Sequence, residues 1–376
     1  MELKRTPLFE AHQRAGGKLI EFGEWELPVQ YTSITDEHLT VRNAAGIFDI
    51  SHMGEALVSG AGAASFLNRT LTNDVRKLAV GAGQYTLMCN AEGGVIDDLY
   101  VYRIGEQEYL LVINASRIDP DILWVEGELA GSEFNQNTTL KNISDATGAV
   151  AVQGPKVASF IDSIVTTANG KAKPSELKKN QLTTGAFNGA NVWIGRTGYT
   201  GEDGFELIAP GTVIEGIWNR VLELGKSHGL KPAGLGARDT LRTEVCYPLY
   251  GHELDEQTSP IEAGLPRFVS FDKGDFTGRA KLLAQKEQGV KKTLIAFKMT
   301  DKSAPPRPHY PIWSGDGAQQ IGEVVSGTQS PSMNMGVGMG YVPPGNAEVG
   351  KTIQIEIRGR KSNAVIVAKP IYRKPA

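Results

Sequence analysis

Hydrophobic and polar positions along this chain switch between a period near 3.6 and a period of 2, so helices and strands are intermixed. Leu8 to Ala15 reads as a short helix after Pro7. Residues 18–31 give no clear period. Residues 33–45 read as a helix, with Ser33 or Thr35 as the cap and Glu37 in the first turns. Ala45 to Glu55 alternates like a strand, but Asp49, Ser51 and His52 interrupt it. A lone histidine in such a run reads first as a structural one. Glu55–Ser59 is a strand, and Ala63 to Leu71 a helix after a glycine turn. Residues 83–90 alternate, Ala91-Glu92-Gly93-Gly94 turns the chain, and Val95 to Tyr102 continues as the partner strand of a hairpin. A third strand runs from Glu108 to Ala115, and a helix from about Asp119 to Leu129. Residues 55–130 therefore predict β-α-β-β-β-α, an α+β unit with an antiparallel sheet.

Two short strands are expected within 134–154, a helix from Pro155 to Ile164, and a loop with a short helix near Glu176. Strands follow at Asn191–Ile194 and Gly204–Ile208, then an amphipathic helix from Val213 to Leu224. A glycine-rich turn at Gly234 leads into another helix, with Arg238 near its N-terminus. After a helix at Gly278 to Lys286 the texture changes. Leu294–Phe297, Gly322–Val325, Val337–Val342, Thr352–Ile357 and Ala364–Val367 are all β segments, which predicts a compact all-β domain.

The hairpin carries the first candidate chemistry. Aspartate is a poor strand former, yet Asp97 and Asp98 stand side by side near the start of a strand. Neighbours on a strand point to opposite faces. Asp97 shares its face with Val95, Leu99 and Val101; Asp98 shares the other with Ile96, Tyr100 and Tyr102. Asp97 thus points to the more aliphatic side, where desolvation raises a carboxyl pKa and a partner or ligand must meet it. Glu206, between Phe205 and Leu207, is a second candidate buried carboxylate. The glycines of Thr197-Gly198-Tyr199-Thr200-Gly201-Glu202-Asp203-Gly204 suggest a backbone brought close to something. Arg238 opposes its helix dipole, so pairing with a carboxylate or a ligand anion is expected.

Composition narrows the classes. The chain has 376 residues, 40% hydrophobic and 22% charged, with a formal net charge of -3. That is an ordinary globular balance with no basic excess for nucleic acid. The 44 glycines favour many turns. Only two cysteines occur, Cys89 and Cys246, each expected as a buried reduced thiol. There is no CxxC, no HExxH and no other metal-ligand spacing among the six histidines, so no metal is expected. No apolar run approaches a membrane span, and the N-terminal stretch has no signal core, so a cytoplasmic protein is expected. The strand–glycine–helix run at 55–71 looks like a dinucleotide fingerprint, but Ser65 stands where the third glycine belongs.

Several separated stretches together match one family. They are Thr6-Pro7-Leu8, Phe48-Asp49-Ile50-Ser51-His52-Met53, Gly93 to Leu99, Val152-Gln153-Gly154-Pro155, Thr197 to Glu202 with Gly204-Phe205-Glu206, Gly234 to Arg242, and Ser326-Gly327-Thr328 with Ser330-Pro331. On these the sequence resembles the T-protein (aminomethyltransferase) family of the glycine cleavage system. The resemblance implies a three-lobed ring: two α+β lobes with antiparallel sheets and a C-terminal β-barrel, with tetrahydrofolate in the central hole. It places residues 1–53 and 142–247 in the first lobe, 54–141 and 248–278 in the second, and 279–376 in the barrel.

The implied reaction passes the methylene of an aminomethyl group, carried on the lipoyl arm of H-protein, to tetrahydrofolate. The products are 5,10-methylenetetrahydrofolate, ammonia and dihydrolipoyl H-protein. By resemblance Asp97 is the catalytic aspartate and Glu206 reads the pterin's donors. Arg238, Tyr199 and Met53 match folate-site positions, as do Asn114 and Tyr247, while Arg307 matches a third-lobe arginine linked to function. The family's folate contact near the C-terminal end has no clear match after Lys369-Pro370-Ile371-Tyr372. The implied state is a monomer that meets H-protein transiently, with the P- and L-proteins as indirect partners. Another folate-dependent one-carbon transferase or demethylase, and a non-catalytic folate-binding protein of iron–sulfur assembly, are the rival readings. Asp97 and the lack of a flavin domain count against the first. The second is usually marked by a Lys-Gly-Cys-Tyr-type motif, which has no match here.

Overall fold

The computed structural model describes residues 3–374. Two compact units form. One holds the residues up to Thr70, with Asp74–Thr86 and Leu99–Arg238; the other holds Leu71–Asn73, Leu87–Asp98 and the residues from Asp239 onward.

In the first unit, seven strands form a sheet in the order Thr166–Thr167, Leu182–Phe187, Ala190–Gly195, Gly204–Pro210, Thr147–Gln153, Gly46–Asp49, Lys231–Pro232. Gly204–Pro210 pairs antiparallel with Thr147–Gln153, and only the short last strand runs parallel to its neighbour. The amphipathic helix is Gly211–Gly225, and its buried stripe is Ile214, Ile217, Trp218 and Val221. These side chains pack with Val150, Val152, Leu207 and Ala209 of the central strands. Apolar positions three and four apart on the helix meet alternate positions on the strands, which is how a helix covers a sheet.

The β-α-β-β-β-α run is observed, and its strands lie in a five-stranded sheet of order Gly83–Cys89, Val95–Gly105, Glu108–Ile113, Gly54–Ser59, Thr139–Asn142. The tip of its hairpin, Leu87–Asp98, belongs to the second unit. The dinucleotide-like glycines have a packing reason. A Cβ on Gly60 would stand 2.2 Å from Asn137 O, and one on Gly62 would stand 2.1 Å from Asn137 Oδ1.

In the second unit six strands close into a barrel, in the order Thr293–Met299, Met335–Val342, Gln320–Ser330, Pro311–Ser314, Thr352–Ile357, Arg360–Val367. Ile353, Ile355 and Ile357 point inward with Phe297, Ile312 and Val324, as period-2 alternation requires.

Several elements differ from the sequence reading. Residues 18–31 form a hairpin, Lys18–Phe22 with Trp25–Gln30, whose first strand is largely exposed and so lacks an apolar period. Pro155 to Ile164 is two 3-10 turns, Val157–Ser159 and Ile161–Ser163, in place of a helix. Its apolar spacing of three suits either form, and the Asp162 carboxylate accepts from Ser175 N and Oγ at 2.8 and 2.6 Å, which favours the tighter turns. Ala45 to Glu55 divides into Gly46–Asp49 and Gly54–Ser59, which lie in different sheets. Cys89 is buried, but Cys246 only half so. Ser33 is the cap of Ile34–Asn43, accepting from Asp36 N at 3.1 Å.

Candidate active site

The hairpin tip is shaped by backbone contact. Asn90 Oδ1 accepts from Glu92 N and Gly94 N, both at 3.0 Å, and Gly93 turns with φ +84°. A Cβ on Gly94 would stand 1.8 Å from Glu256 O, so only glycine fits. Val95 N is shared between Asp255 O at 2.9 Å and Thr258 O at 3.0 Å. The strand therefore starts in a fixed register. Asp97 is 0% exposed, as are Val95 and Val101, with Leu99 at 3%. Asp98 is half-buried. The pleat separates the two carboxylates as the alternation requires.

In the first unit the 197–206 stretch gathers around Gln153. This buried amide donates from Nε2 to Thr197 O at 3.0 Å and accepts at Oε1 from Thr200 Oγ1 at 3.0 Å. A Cβ on Gly198 would stand 1.9 Å from Gln153 Oε1, and one on Gly204 would stand 2.5 Å from its Nε2. The backbone of this loop is indeed brought close to something, and that something is the Gln153 side chain. Arg42 holds the far side, donating to Thr200 O at 2.7 Å and Glu202 Oε1 at 3.0 Å in a buried ion pair.

Glu206 is half-buried rather than enclosed, because it points away from the core that takes Phe205 and Leu207. Its Oε2 accepts from Thr197 Oγ1 at 2.6 Å, and Thr197 Oγ1 lies 2.7 Å from the hydroxyl of Tyr102. Burial pushes the Tyr102 hydroxyl pKa far up, and the Glu206 charge adds to this, so Tyr102 stays protonated.

The Arg238 loop is placed by Glu37. This buried carboxylate accepts from Tyr31 N at 2.6 Å, Thr32 N at 2.9 Å and Gly234 N at 2.8 Å. A Cβ on Gly234 would meet Val29 at 2.5 Å. Arg238 lies over the Tyr199 ring, 4.6 Å from its centroid, so these two expected residues are brought together. Met53 and Asn114 belong to the same unit, both half-buried. Tyr247, half-buried, and Arg307, exposed, belong to the other unit with Asp97.

The polar residues that interrupt the strand pattern at 49–52 belong to a network that Thr6 and His12 join, and it supports the Asp49–Met53 turn. Asp49 Oδ2 accepts from Thr6 Oγ1 at 2.6 Å and meets His12 Nε2 at 2.8 Å, while Oδ1 accepts from Ser51 N at 2.8 Å. Burial alone would raise the Asp49 pKa, but these hydrogen bonds and the His12 interaction outweigh it and hold the group below the usual carboxylate value. His52 is buried with no hydrogen-bond partner for Nδ1 among the described residues. Burial lowers its pKa to about 4, the Asp49 and Arg238 charges acting in opposite directions, so it is neutral at physiological pH.

In the second unit Arg242 forms a buried pair with Glu253 at 3.0 Å, and also donates to Asp239 Oδ1 at 2.7 Å and to Ser326 Oγ at 2.9 Å. This cluster ties the end of the helix Leu235–Glu244 to the barrel strand Gln320–Ser330. Arg307 Nη1 lies 3.4 Å from Gly327 O on the same strand.

Comparison with known proteins agrees along the whole chain. Residues 8–273 match the GCVT N-terminal domain, and residues 292–373 match the glycine cleavage T-protein C-terminal barrel domain. Aminomethyltransferases of Bacillus cereus and Bacillus anthracis are each 44% identical over 373 residues, covering 99% of both chains. The crystal structure of the glycine cleavage system aminomethyltransferase T from Bartonella henselae superposes with a TM-score of 0.89 at 31% identity, covering 98% of each chain. With its motifs, its sheets and its barrel all in the family's order, the chain belongs to the glycine cleavage T-protein family.

Proposed function

We infer that this chain is an aminomethyltransferase of glycine cleavage, using tetrahydrofolate as co-substrate and a lipoylated H-protein as donor. Family membership along the full length supports the activity and the H-protein partnership. The structural observation that carries the site reading is the Glu206 carboxylate. One oxygen is held by Thr197, while Oε1 takes no hydrogen bond among the described residues, so it is open to a ligand donor. Oε2 keeps a second lone pair beside the open Oε1, so the oriented carboxylate suits the two parallel N–H donors of a pterin.

Tetrahydrofolate supplies the nitrogen nucleophiles that take up the one-carbon unit. The chain's residues bind, orient and move protons. Glu206 reads the pterin edge. Arg238 on Tyr199, with Met53, Asn114 and Tyr247, completes the folate contacts, and Arg307 serves the barrel side. Asp97, held rigid by the hairpin register, is the carboxylate that accepts a proton as the folate nitrogen attacks. Positioning of two reactants away from water is the main source of rate. The three-lobe division, with breaks after residues 53, 141, 247 and 278, belongs to this reading, as do a cytoplasmic location and a monomeric state. Among the described residues, no helix is long and apolar enough to cross a membrane.

The test is an exchange assay with aminomethyl-lipoyl H-protein and tetrahydrofolate. Ammonia release that depends on folate is expected; release without that dependence, or no release, contradicts the reading.

A further inference from the structure

The hydrogen-bond chain behind Glu206 has a direction, and that direction has a consequence for recognition. Tyr102 is 2% exposed, and its hydroxyl has a single hydrogen-bond partner among the described residues, Thr197 Oγ1 at 2.7 Å. It cannot rotate away to another acceptor. A Cβ on Gly195 would stand 2.5 Å from its oxygen, and one on Gly83 would stand 2.4 Å from its ring, so the ring and hydroxyl are packed over two bare glycines. A buried hydroxyl left without an acceptor costs about 1–3 kcal/mol. Tyr102 therefore donates to Thr197. The Thr197 hydroxyl has one proton, and with Tyr102 donating in, that proton goes out to Glu206 Oε2 at 2.6 Å.

We propose that Tyr102 and Thr197 are positioning residues that set the polarity of Glu206, so that the group at position 206 must accept on its inner side. A carboxylate meets this demand and still presents an acceptor outward. An amide meets it only by turning its oxygen inward, and then it presents an NH2 group to the ligand. Two donors would face each other there. The chain thus explains why the position needs a carboxylate rather than any polar side chain. It also extends the recognition machinery two residues beyond the one that touches the ligand. This inference rests on the proposed role of Glu206 in holding the pterin edge of tetrahydrofolate.

The test is a double-mutant cycle on tetrahydrofolate affinity, read by equilibrium titration of the full chain without H-protein. Thr197→Val in the parent frees Glu206 to swing, and is expected to weaken binding about fivefold to tenfold, the loss of about 1 to 1.4 kcal/mol of orientation. Thr197→Ser keeps the hydroxyl and is expected to bind as the parent does. Glu206→Gln alone is expected to weaken binding by a factor of about a hundred or more, since a donor then opposes a donor. In the Glu206→Gln background, adding Thr197→Val releases the amide to turn its oxygen outward, and binding should improve about fivefold or more. The same substitution is harmful in one background and helpful in the other. A role in stability alone would move both backgrounds the same way. If Thr197→Val weakens binding in both, or leaves both unchanged, the polarity inference is overturned. If the parent protein binds no tetrahydrofolate at all, the proposed role of Glu206 falls as well. Parent binding with additive effects overturns the inference alone.

Discussion

Glu55 gives a prediction about stability that is independent of the site. Its side chain lies in the first unit and is 1% exposed. Oε2 pairs with Thr147 Oγ1 at 2.7 Å, and Oε1 is buried with no partner among the described residues. Ionised, the group would hold a charged oxygen with no donor. Burial raises its pKa from 4.5 to about 8, with the Thr147 bond opposing the shift. A carboxyl with a raised folded pKa is more protonated in the folded state than in the unfolded one. Its contribution is fully present below pH 4.5 and is lost as pH rises through 8. Between about pH 5 and about 8 the loss is roughly 3 pH units at about 1.4 kcal/mol each, or about 4 kcal/mol. Glu55→Gln keeps the shape and removes the titration. Urea unfolding of both proteins from about pH 5 to about 8.5 should show Glu55→Gln gaining on the parent as pH rises, by up to about 4 kcal/mol. Parallel stability curves would refute the reasoning, because they would mean that Glu55 titrates alike in both states.

Two further substitutions probe the supports of the candidate site. Gly94→Ala drives a Cβ against Glu256 O and should cost about 1–3 kcal/mol in chemical denaturation, with a drop in turnover as the Asp97 strand shifts; normal turnover would show that the hairpin tip does not set the position of Asp97. Gln153→Ala leaves the Thr197 carbonyl and the Thr200 hydroxyl without their buried partner, and should cost about 2–4 kcal/mol with weaker tetrahydrofolate binding by titration. Unchanged binding would show that this loop is held by other means.

Much of the fold was legible because periodicity and turns were local. The hairpin at Gly93–Gly94, the burial of Asp97 against the half-exposure of Asp98, and the Ser33 cap all follow from residues within a few positions of one another. What was not legible depends on partners far apart in the chain. Tyr102 and Thr197 are 95 positions apart, and no local pattern links them. The glycines at 198 and 204 do announce a close approach, but only the structure identifies the Gln153 side chain as what approaches. The segment from Pro155 to Ile164 carries apolar residues at a spacing that both an α-helix and successive 3-10 turns satisfy, and the Asp162–Ser175 contact from another segment goes with the second. The apolar neighbours of Glu206 suggest an enclosed carboxylate, yet strand alternation sends it to the opposite face, where it is half-buried.

The central claim is that Asp97 is the carboxylate that assists transfer, while Glu206 holds the folate. The most direct measurement pairs tetrahydrofolate affinity with single-turnover ammonia release for Asp97→Asn and Asp98→Asn. Asp97→Asn should retain parent-like affinity and lose about a hundredfold or more in rate, with Asp98→Asn close to the parent in both. A larger rate loss in Asp98→Asn, or parent-like release from Asp97→Asn, would contradict the account.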